Sequence, residues 1–395
     1  MLLVTALACC SVVQSNQALF VTCSNDLGMK VLGPLAVSQP GNVMISPLSI
    51  SLGVSLVNVG AAGETRRQIE EALGVPSGGG AEYVAAIRPL MGALNSSKDA
   101  EVSVANSIWV NQHLRIRPGY AEFASQNLGA GIDSIDFSSS GAVDRINKWV
   151  RDNTRGMIKK VLSGVSRDTQ VVVANAVAFK GFWMESFYDK ATKPAPFMNI
   201  DGEKKEVPMM QLKGTTRYAE SPGVQMLNLR YRGGFSMSIF LPAAGSDFRR
   251  FVGTVRARDL TSLIRIAQPV LVDYTIPKWK STFEKDIRSD MARLGMSDAF
   301  QPDAANFSNL ADSRSYINLL LHKTYIDVHE KGTEAAAVTV GGAGSGGGPK
   351  PPEPKIFLAN RPFLYVITHD ASGTMCFLGV VKNLQPEAKP EPDKM

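Results

Sequence analysis

The 395-residue sequence contains few of the residue types that build metal centres and disulfide frameworks. It has four histidines and four cysteines. His113, His329 and His369 show no metal-ligand spacing, and so few cysteines in so long a chain do not form a disulfide framework. We therefore predict no metal and no cofactor.

The sequence also lacks long basic runs and long apolar runs. Basic residues occur only in small groups such as Lys159–Lys160 and Arg249–Arg250, and the net charge of +6 is mild for this length. These groups are too sparse to indicate nucleic-acid binding, and the one polyanion contact that they leave open is a weak one with a glycosaminoglycan. No apolar run is long enough to span a bilayer, so no membrane contact is predicted.

The first fifteen residues have the pattern of a secretory signal peptide. Residues 2–13 are apolar and uncharged, which is the length of a signal h-region, and Val13, Gln14 and Ser15 form an acceptable cleavage site. The positive n-region is missing, so an apolar start of the first helix is the alternative interpretation. We predict a signal peptide over 1–15 and a secreted, extracellular protein.

Secretion would bear on the remaining cysteines and on two glycosylation sequons. Cys23 and Cys376 lie outside the signal peptide. We expect both to be buried free thiols, with one long-range disulfide as the alternative. The sequons begin at Asn95 and Asn306 and would carry N-glycans in a secreted protein.

Hydrophobic periodicity predicts a mixed α+β fold. Hydrophobic residues make up 44% of the chain and charged residues 20%, which is the balance of a globular protein with a sizeable core. The predicted helices are 16–37, one from an N-cap at Thr65 to a stop at Gly74, 142–164 and 283–296. The predicted strands are 101–111, 169–183, 235–243, 268–280, 316–340, 363–370 and 375–383. Helices and strands do not alternate as in βαβ units, so the class is α+β. We expect one domain over 16–385 and a disordered polar tail over 386–395.

Residues 330–355, "EKGTEAAAVTVGGAGSGGGPKPPEPK", are the most unusual segment. Residues 342–347 match G-x-G-x-x-G, but the prolines that follow prevent the helix start that a phosphate loop requires. The segment is not a linker either, because the strands after it are too short to fold alone. Neither a nucleophile nor an acid–base constellation is present here or elsewhere, so we do not predict an enzyme.

The first half of this segment has the pattern of a strand that is small on one face. Side chains alternate between the two faces of a strand, and the residues on one face are small. They are Thr333, Ala335, Ala337, Thr339 and Gly341. Such a segment could enter a packed sheet with little steric cost, so we interpret it as a latent strand.

Several motifs resemble those of the serpin family over residues 16–385. They are "NVMISPLSIS" (42–51), "VVVANAVAFKGFWMESF" (171–187), "IPKWK" (276–280), "HKTYIDVHEKGTEAAAVT" (322–339) and "NRPFLYVITHDASGTMCFLGVV" (360–381). The resemblance implies the serpin fold, with three β-sheets, about nine helices and an exposed reactive-centre loop over about 330–355. It also implies a monomer.

The resemblance further implies a mechanism and a set of residues. A serine protease attacks the loop as a substrate and forms an acyl-enzyme, and the cut loop then inserts into the large sheet and traps the protease. The inhibitory hinge corresponds to Glu330, Gly332, Thr333, Glu334, Ala335, Ala336 and Ala337. The polar cluster and the breach where the sheet opens correspond to Ser46, Ser49, Asn175, Trp183 and His322.

The resemblance locates the scissile bond only within a short window. Counting seventeen residues with Glu330 as the first places the cut at Gly346–Gly347, which would suit an elastase-like protease. Counting back from Arg361 places it later, and Gly348 and Lys350 are the alternatives, although Pro351 disfavours cleavage after Lys350.

Three functional interpretations remain at this point. The hinge sequence favours a secreted inhibitor of a serine protease. A non-inhibitory serpin that binds or carries another molecule is the first alternative. The second is a serpin that proteases cleave as a substrate, because each glycine in an inserting strand costs about 0.5–1 kcal/mol relative to alanine.

Overall fold

The computed structural model describes residues 2–96, 99–333 and 353–386, and for residues 2–13 it describes the helix alone. Within these ranges the chain forms ten α-helices. They are α1 (Leu2–Ser38), α2 (Pro47–Gly60), α3 (Gly63–Leu73), α4 (Gly80–Ala85), α5 (Ile87–Leu94), α6 (Pro118–Leu128), α7 (Ala142–Asn153), α8 (Phe248–Thr254), α9 (Ala257–Ile266) and α10 (Arg288–Arg293). None of the described helices is both long and apolar enough to cross a membrane.

The described strands are shorter than the helices on average and form the centre of the molecule. They are β1 (Val43–Ile45), β2 (Ala100–Asn111), β3 (Gly131–Ile135), β4 (Val171–Phe182), β5 (Lys193–Met198), β6 (Lys204–Ser221), β7 (Val224–Arg230), β8 (Phe235–Pro242), β9 (Gln268–Pro277), β10 (Trp279–Asp286), β11 (Ile317–Val328), β12 (Gly332–Thr333), β13 (Lys355–Leu358), β14 (Phe363–His369) and β15 (Thr374–Val381).

Hydrogen bonding joins the described strands into two sheets. One has nine strands in the order β1-β15-β14-β8-β7-β6-β9-β13, with β5 also paired to β6. The other has six strands in the order β10-β11-β4-β2-β3, with β12 paired to the end of β4. The resemblance implied three sheets, and the count here is two because the long strand β6 pairs with β5, β9 and β7 in turn and so links them. The predicted α+β class is confirmed.

The six-stranded sheet has one apolar layer on each face. On the inner face, Val173, Val177 and Phe179 of β4 join the main core with α2 and the nine-stranded sheet. On the outer face, alternate residues of β4 pack against α7 in a second, smaller core. Every residue from 171 to 179 is therefore buried, as predicted for a central strand.

Several predicted element boundaries are wrong. The helix predicted over 16–37 extends back to Leu2, and the strand predicted over 316–340 is interrupted after Val328 by the turn that precedes β12. The helix predicted over 142–164 ends at Asn153, because Arg155 and Gly156 both adopt positive φ angles. The helix predicted over 283–296 is α10 alone, since 283–286 continue strand β10 beside β11. The strand predicted over 268–280 is divided at Lys278 into β9 and β10. Thr65 does not cap α3; it is buried inside the first turn and accepts a hydrogen bond from the Asn306 backbone N–H at 3.0 Å.

Candidate functional site

The six-stranded sheet has a gap between β11 and β4 at one end. These two strands pair in parallel from Ile317 opposite Val171 to Tyr325 opposite Ala178. Beyond Tyr325 the pairing stops, although both strands continue. The space beside the end of β4 is taken by β12, whose two residues pair with β4 in the antiparallel direction. The hinge therefore begins as a strand at the place where the sheet parts.

A tight turn over residues 329–332 connects β11 to β12. The backbone groups of His329 and Gly332 exchange two hydrogen bonds of 3.0 Å. Gly332 adopts a φ of +125°, and a Cβ atom there would lie 2.3 Å from the carbonyl oxygen of Gly181. Glycine is thus required both for its backbone angle and for its lack of a side chain.

Glu330 fixes the outer side of this turn. Its side chain is 10% exposed, accepts a hydrogen bond of 2.7 Å from the Thr192 hydroxyl and lies 3.3 Å from the Lys278 ammonium. Burial alone would raise the pKa of this carboxyl, but the bonds from Thr192 and the charge of Lys278 outweigh it and lower the pKa. The carboxylate therefore stays ionised and ties the turn to the segment after β4 and to the start of β10.

Trp183 closes the inner side of the turn. Its indole Nε1 donates a hydrogen bond to the His329 carbonyl at 2.9 Å, and its backbone N–H donates one to the Lys331 carbonyl at 3.1 Å. The indole ring stacks on Tyr231 with centroids 4.0 Å apart. Trp183 therefore connects the end of β4 to the end of β11 across the gap.

A row of polar side chains crosses the middle of the sheet on its inner face. Asn106 of β2, Asn175 of β4 and His322 of β11 are register partners, and both pairs are hydrogen-bonded through their side chains. The Asn175 amide also donates to the Ser49 hydroxyl at 2.6 Å. The Ser46 backbone N–H donates to His322 Nε2 at 3.1 Å. The N-terminus of α2 therefore supports this row from below.

His322 is neutral in this arrangement. Its Nε2 accepts a hydrogen bond from Ser46, so the proton of the ring lies on Nδ1, which faces the Asn175 carbonyl oxygen. The side chain is fully buried, and burial lowers its pKa to about 3. The bond between His322 and Asn175 spans the two strands that would have to separate if another strand entered between them.

The side of α2 that faces this row carries small residues. Ser46 caps the helix by accepting from the Ser49 N–H at 3.1 Å, and Pro47 follows at its first position. A Cβ atom on Gly53 would lie 3.4 Å from the Asn175 side-chain nitrogen. These residues let the helix approach the sheet closely.

The other predicted residues have the following places. Asn95 and Asn306 are both exposed, as an acceptor for a glycan must be. Cys23 and Cys376 are buried free thiols, as predicted, and burial raises the pKa of both, that of Cys376 to about 12. The predicted residues that lie outside the described ranges are Glu334, Ala335, Ala336, Ala337, Gly346, Gly347, Gly348 and Lys350. Most of the predicted tail lies outside them as well.

Sequence reasoning missed three residues of the site. Asn106 is a buried polar residue on a face of β2 that is otherwise apolar, and that pattern was a usable signal. Thr192 and Lys278 hold Glu330. Thr192 gave no signal, and Lys278, although it lies in the motif at 276–280, was not linked to the hinge because the two are far apart in sequence. Among the described residues, no three histidine, cysteine or acidic side chains form a group that could hold a metal.

Comparison with known proteins agrees with this architecture. The sequence model of the serpin (serine protease inhibitor) family matches residues 22–384. Serpin-Z2A of Triticum aestivum is 32% identical over 366 residues, which cover 88% of this chain and 91% of the relative. The native structure of tengpin, a thermophilic serpin, has a TM-score of 0.84 at 28% identity and covers 92% of this chain and 94% of its own.

A further structural match shares the fold alone. Human thyroxine-binding globulin, solved in complex with thyroxine, has a TM-score of 0.85 at 23% identity, and the match covers 94% of this chain and 100% of that one. The fold therefore does not by itself distinguish an inhibitor from a binding protein. The family match and the extent of the similarity show that this chain belongs to the serpin family.

Proposed function

We propose that this serpin is a secreted inhibitor that traps a serine protease by inserting its cleaved loop into the six-stranded sheet. Serpins are mostly protease inhibitors rather than catalysts. The observation that carries the proposal is β12, where the hinge already pairs with β4 at the point where β4 and β11 part.

The register of β12 predicts how the loop would enter. Gly332 lies opposite Phe182 and Thr333 opposite Gly181. If each further loop residue pairs one position back along β4, Ala337 would lie opposite Val177. Directly opposed residues share a face, so the small residues at 333, 335, 337 and 339 would all face the main core.

The other face of the inserting segment meets a matching surface. The outer side of β4 carries Ala174, Ala176 and Ala178 beneath α7. In the same register Val338 and Ala336 would lie beside Ala176 and Ala178. Small residues on the strand thus leave room for the loop on the face that α7 covers.

Insertion would also change the polar row. The continued register places Thr339 opposite Asn175, between that residue and His322. The direct bond between Asn175 and His322 would be lost, and the Thr339 hydroxyl would be available to both groups as a donor and an acceptor. The buried polar groups would therefore remain satisfied after the sheet opens.

The energetic direction follows from strand pairing. A parallel contact between β11 and β4 would be replaced by two antiparallel contacts, which are slightly more stable per residue. Each backbone hydrogen bond contributes about 0.5–1.5 kcal/mol net, so a dozen would stabilise the inserted state by on the order of 10 kcal/mol. The uncut protein would be a kinetic trap that cleavage releases.

The test is covalent complex formation with a panel of elastase-, chymotrypsin- and trypsin-like proteases. The expected product with at least one of them is an SDS-stable complex, and mass spectrometry of the released fragment identifies the scissile bond. Cleavage by every protease without any complex would contradict inhibition and support the substrate alternative. We propose Gly346–Gly347 as the bond and an elastase-like enzyme as the target.

Two variants separate insertion from cleavage. Ala337→Arg places a charge on the predicted core face and is expected to turn the protein into a substrate that is still cut. Glu334→Gln lies on the opposite face beside Lys180 in the same register and should retain complex formation. Equal inhibition by both variants would contradict the proposed register.

Secretion is part of the proposal and has its own test. The apolar segment 2–13 and the exposed sequon asparagines Asn95 and Asn306 support it. Expression of the full chain in a eukaryotic secretory host should yield medium protein that begins at Asn16 and shifts in mass on glycosidase treatment. Protein retained in the cells with its first residues intact would contradict it.

Exposed arginines at 249 and 250 support a weak glycosaminoglycan contact, which salt-dependent heparin retention would test.

A further inference from the structure

A cavity of about 340 Å³ lies beside the breach, between the segment after β4 and strands β6, β7 and β9. Much of its wall is apolar and includes Trp183, Phe187, Leu229, Pro269 and Tyr274. Such a volume is at the lower end of the range for small-molecule sites, and an aromatic wall suits a planar apolar group.

Three charged side chains, Arg217, Arg230 and Glu185, also line this cavity. Arg217 is half-buried and donates through Nε and Nη2 to the carbonyls of Ile264 and Ala267 at the end of α9. Its Nη1 donates to no residue in the described part of the chain, and neither does the guanidinium of Arg230, which is an exposed residue. The charged lining therefore has one net positive charge and N–H groups that can donate hydrogen bonds to a ligand.

A neutral donor completes the lining. Tyr274 is 2% exposed, and its hydroxyl forms no hydrogen bond with any residue that the structure describes. Burial, and to a lesser extent the charge of Glu185, raises its pKa, so the phenol keeps its proton. The hydroxyl oxygen itself is not enclosed, so it can donate a hydrogen bond to a ligand in the cavity.

We propose that this cavity binds a small aromatic carboxylate. The ring would lie among Trp183, Phe187 and Tyr274, and the carboxylate would accept hydrogen bonds from Arg230 and Arg217. A guanidinium binds a carboxylate through two parallel hydrogen bonds, which makes the site selective for a planar anion over a neutral compound of the same shape. Glu185 opposes the anion and limits its affinity.

The position of the cavity gives the ligand a way to act on the hinge. The Met184 N–H donates to the Arg230 carbonyl at 2.8 Å, and the Phe187 N–H donates to the Glu330 carbonyl at 2.9 Å. A ligand that contacts Trp183, Phe187 and Arg230 therefore touches the residues that hold the turn over 329–332. The ligand would stabilise the closed breach by the difference between its binding free energies for the closed and the open conformation.

The binding test uses naphthalene-2-carboxylate as the probe and isothermal titration calorimetry on the full, uncleaved chain. Arg230→Ala should weaken binding at least tenfold, Glu185→Gln should strengthen it at least twofold, and Arg88→Ala on the distant helix α5 should leave it unchanged. The neutral amide, 2-naphthamide, should bind at least tenfold more weakly than the carboxylate. No binding at millimolar probe, equal binding of the amide, or equal binding by Arg230→Ala would each overturn the proposal.

The link to the hinge is tested by hydrogen–deuterium exchange and needs no protease. Saturating probe should slow exchange at least threefold in peptides that cover 181–187 and 329–333, and should not change a peptide from α3. Protection that is absent from these two segments, despite measured binding, would show that the cavity does not act on the breach. Because neither readout depends on protease trapping, a failure of the proposed inhibition would appear separately.

Discussion

Gly332 is the residue on which the hinge conformation depends most directly. Its φ of +125° is unfavourable for any residue with a Cβ atom, and that atom would also meet backbone atoms of Gly181, Phe182 and Trp183 at 2.3–2.7 Å. Gly295 has a comparable φ of +104° but nothing within 4 Å of the added atom. A substitution at Gly295 would therefore cause backbone strain alone, whereas one at Gly332 would cause both backbone strain and a steric clash.

We expect Gly332→Ala to lose β12 and to reduce protease trapping by at least tenfold. Gly295→Ala should cost only the backbone strain, which is about 1–3 kcal/mol, and should keep normal trapping. The measurements are the urea midpoint and the number of serpin molecules consumed per protease inhibited. Comparable trapping by the two variants would mean that the turn tolerates a side chain and that the hinge is not held as described.

His322 makes the stability of the protein depend on pH. Its pKa is about 3 in the fold, against an ordinary value near 6.5 in the unfolded chain. The unfolded state therefore binds more protons between these values, so the stabilisation is complete above pH 6.5 and is lost as the pH falls below it. From pH 7.5 to 5.0 this group alone should lower the free energy of unfolding by about 2 kcal/mol.

The variant His322→Gln should lose that part of the acid sensitivity. Urea unfolding at the two pH values measures it, and His113→Gln, which alters an exposed histidine, should retain the full difference. If His322→Gln and the unaltered protein lose equal stability at pH 5.0, the neutral buried state of His322 is wrong.

For single residues, the sequence predicts which side chains belong to the site better than it predicts the side chains that bind them. Ser46, Ser49, Asn175 and His322 were placed together by resemblance, and their contacts in the structure agree with that grouping. The partners of Glu330 could not be predicted, because a salt bridge between distant surface segments leaves no periodic signal in the sequence.

At the scale of secondary-structure elements, the proposed function depends on the strand pair β11 and β4. Insertion requires these strands to separate, whereas β2 and β4 stay paired. Ala176 is the register partner of Lys323 on one side and of Ala105 on the other. Cα atoms of directly paired residues are close enough for a disulfide, so one position offers two matched staples.

If the proposed inhibition is right, oxidation of Ala176→Cys/Lys323→Cys should make this serpin a substrate, and reduction should restore trapping. Oxidation of Ala176→Cys/Ala105→Cys should leave trapping unchanged, because that staple does not cross the gap. The thiols of Cys23 and Cys376 are buried and should not compete. Gel analysis with the target protease, with and without reductant, measures the effect. Full trapping by the oxidised first variant would rule out insertion between β11 and β4.

Element boundaries were predicted less well than element types, for physical reasons. The segment 154–162 keeps an apolar spacing after α7 has ended, since Asn147 binds the backbone of Val161 and Leu162 and holds them against the sheet. Residues 279–284 alternate between buried and exposed, but Lys285 and Asp286 are both partly buried. The part of this pattern within 283–286 is too short to distinguish the end of a strand from the start of a helix.

At the scale of the whole molecule, composition and periodicity predict only the α+β class. The order of the strands follows from contacts between distant segments, such as β1 with β15, which no local pattern contains. Only the motif resemblance implied a fold that contains such contacts. In the structure β4 pairs with β11, and the segment that we propose to insert between them follows β12 directly in sequence.

This arrangement makes a prediction for the entire protein. Cleavage within 341–348 should raise the melting temperature by about 10 °C or more, because on the order of 10 kcal/mol of new strand pairing becomes available. Scanning calorimetry before and after limited elastase digestion measures the shift. Ala337→Arg, cut at the same bond, should show a much smaller rise because its loop cannot enter.

The size of this shift also distinguishes the two functional classes. A serpin that binds or carries another molecule without inserting its loop would melt at the same temperature before and after cleavage. A serpin whose glycines only slow insertion would still show the full rise while forming little complex, since the final state is reached after the protease has left. If the melting temperature does not rise after cleavage, the loop does not gain the stabilising strand pairing that the proposed mechanism requires.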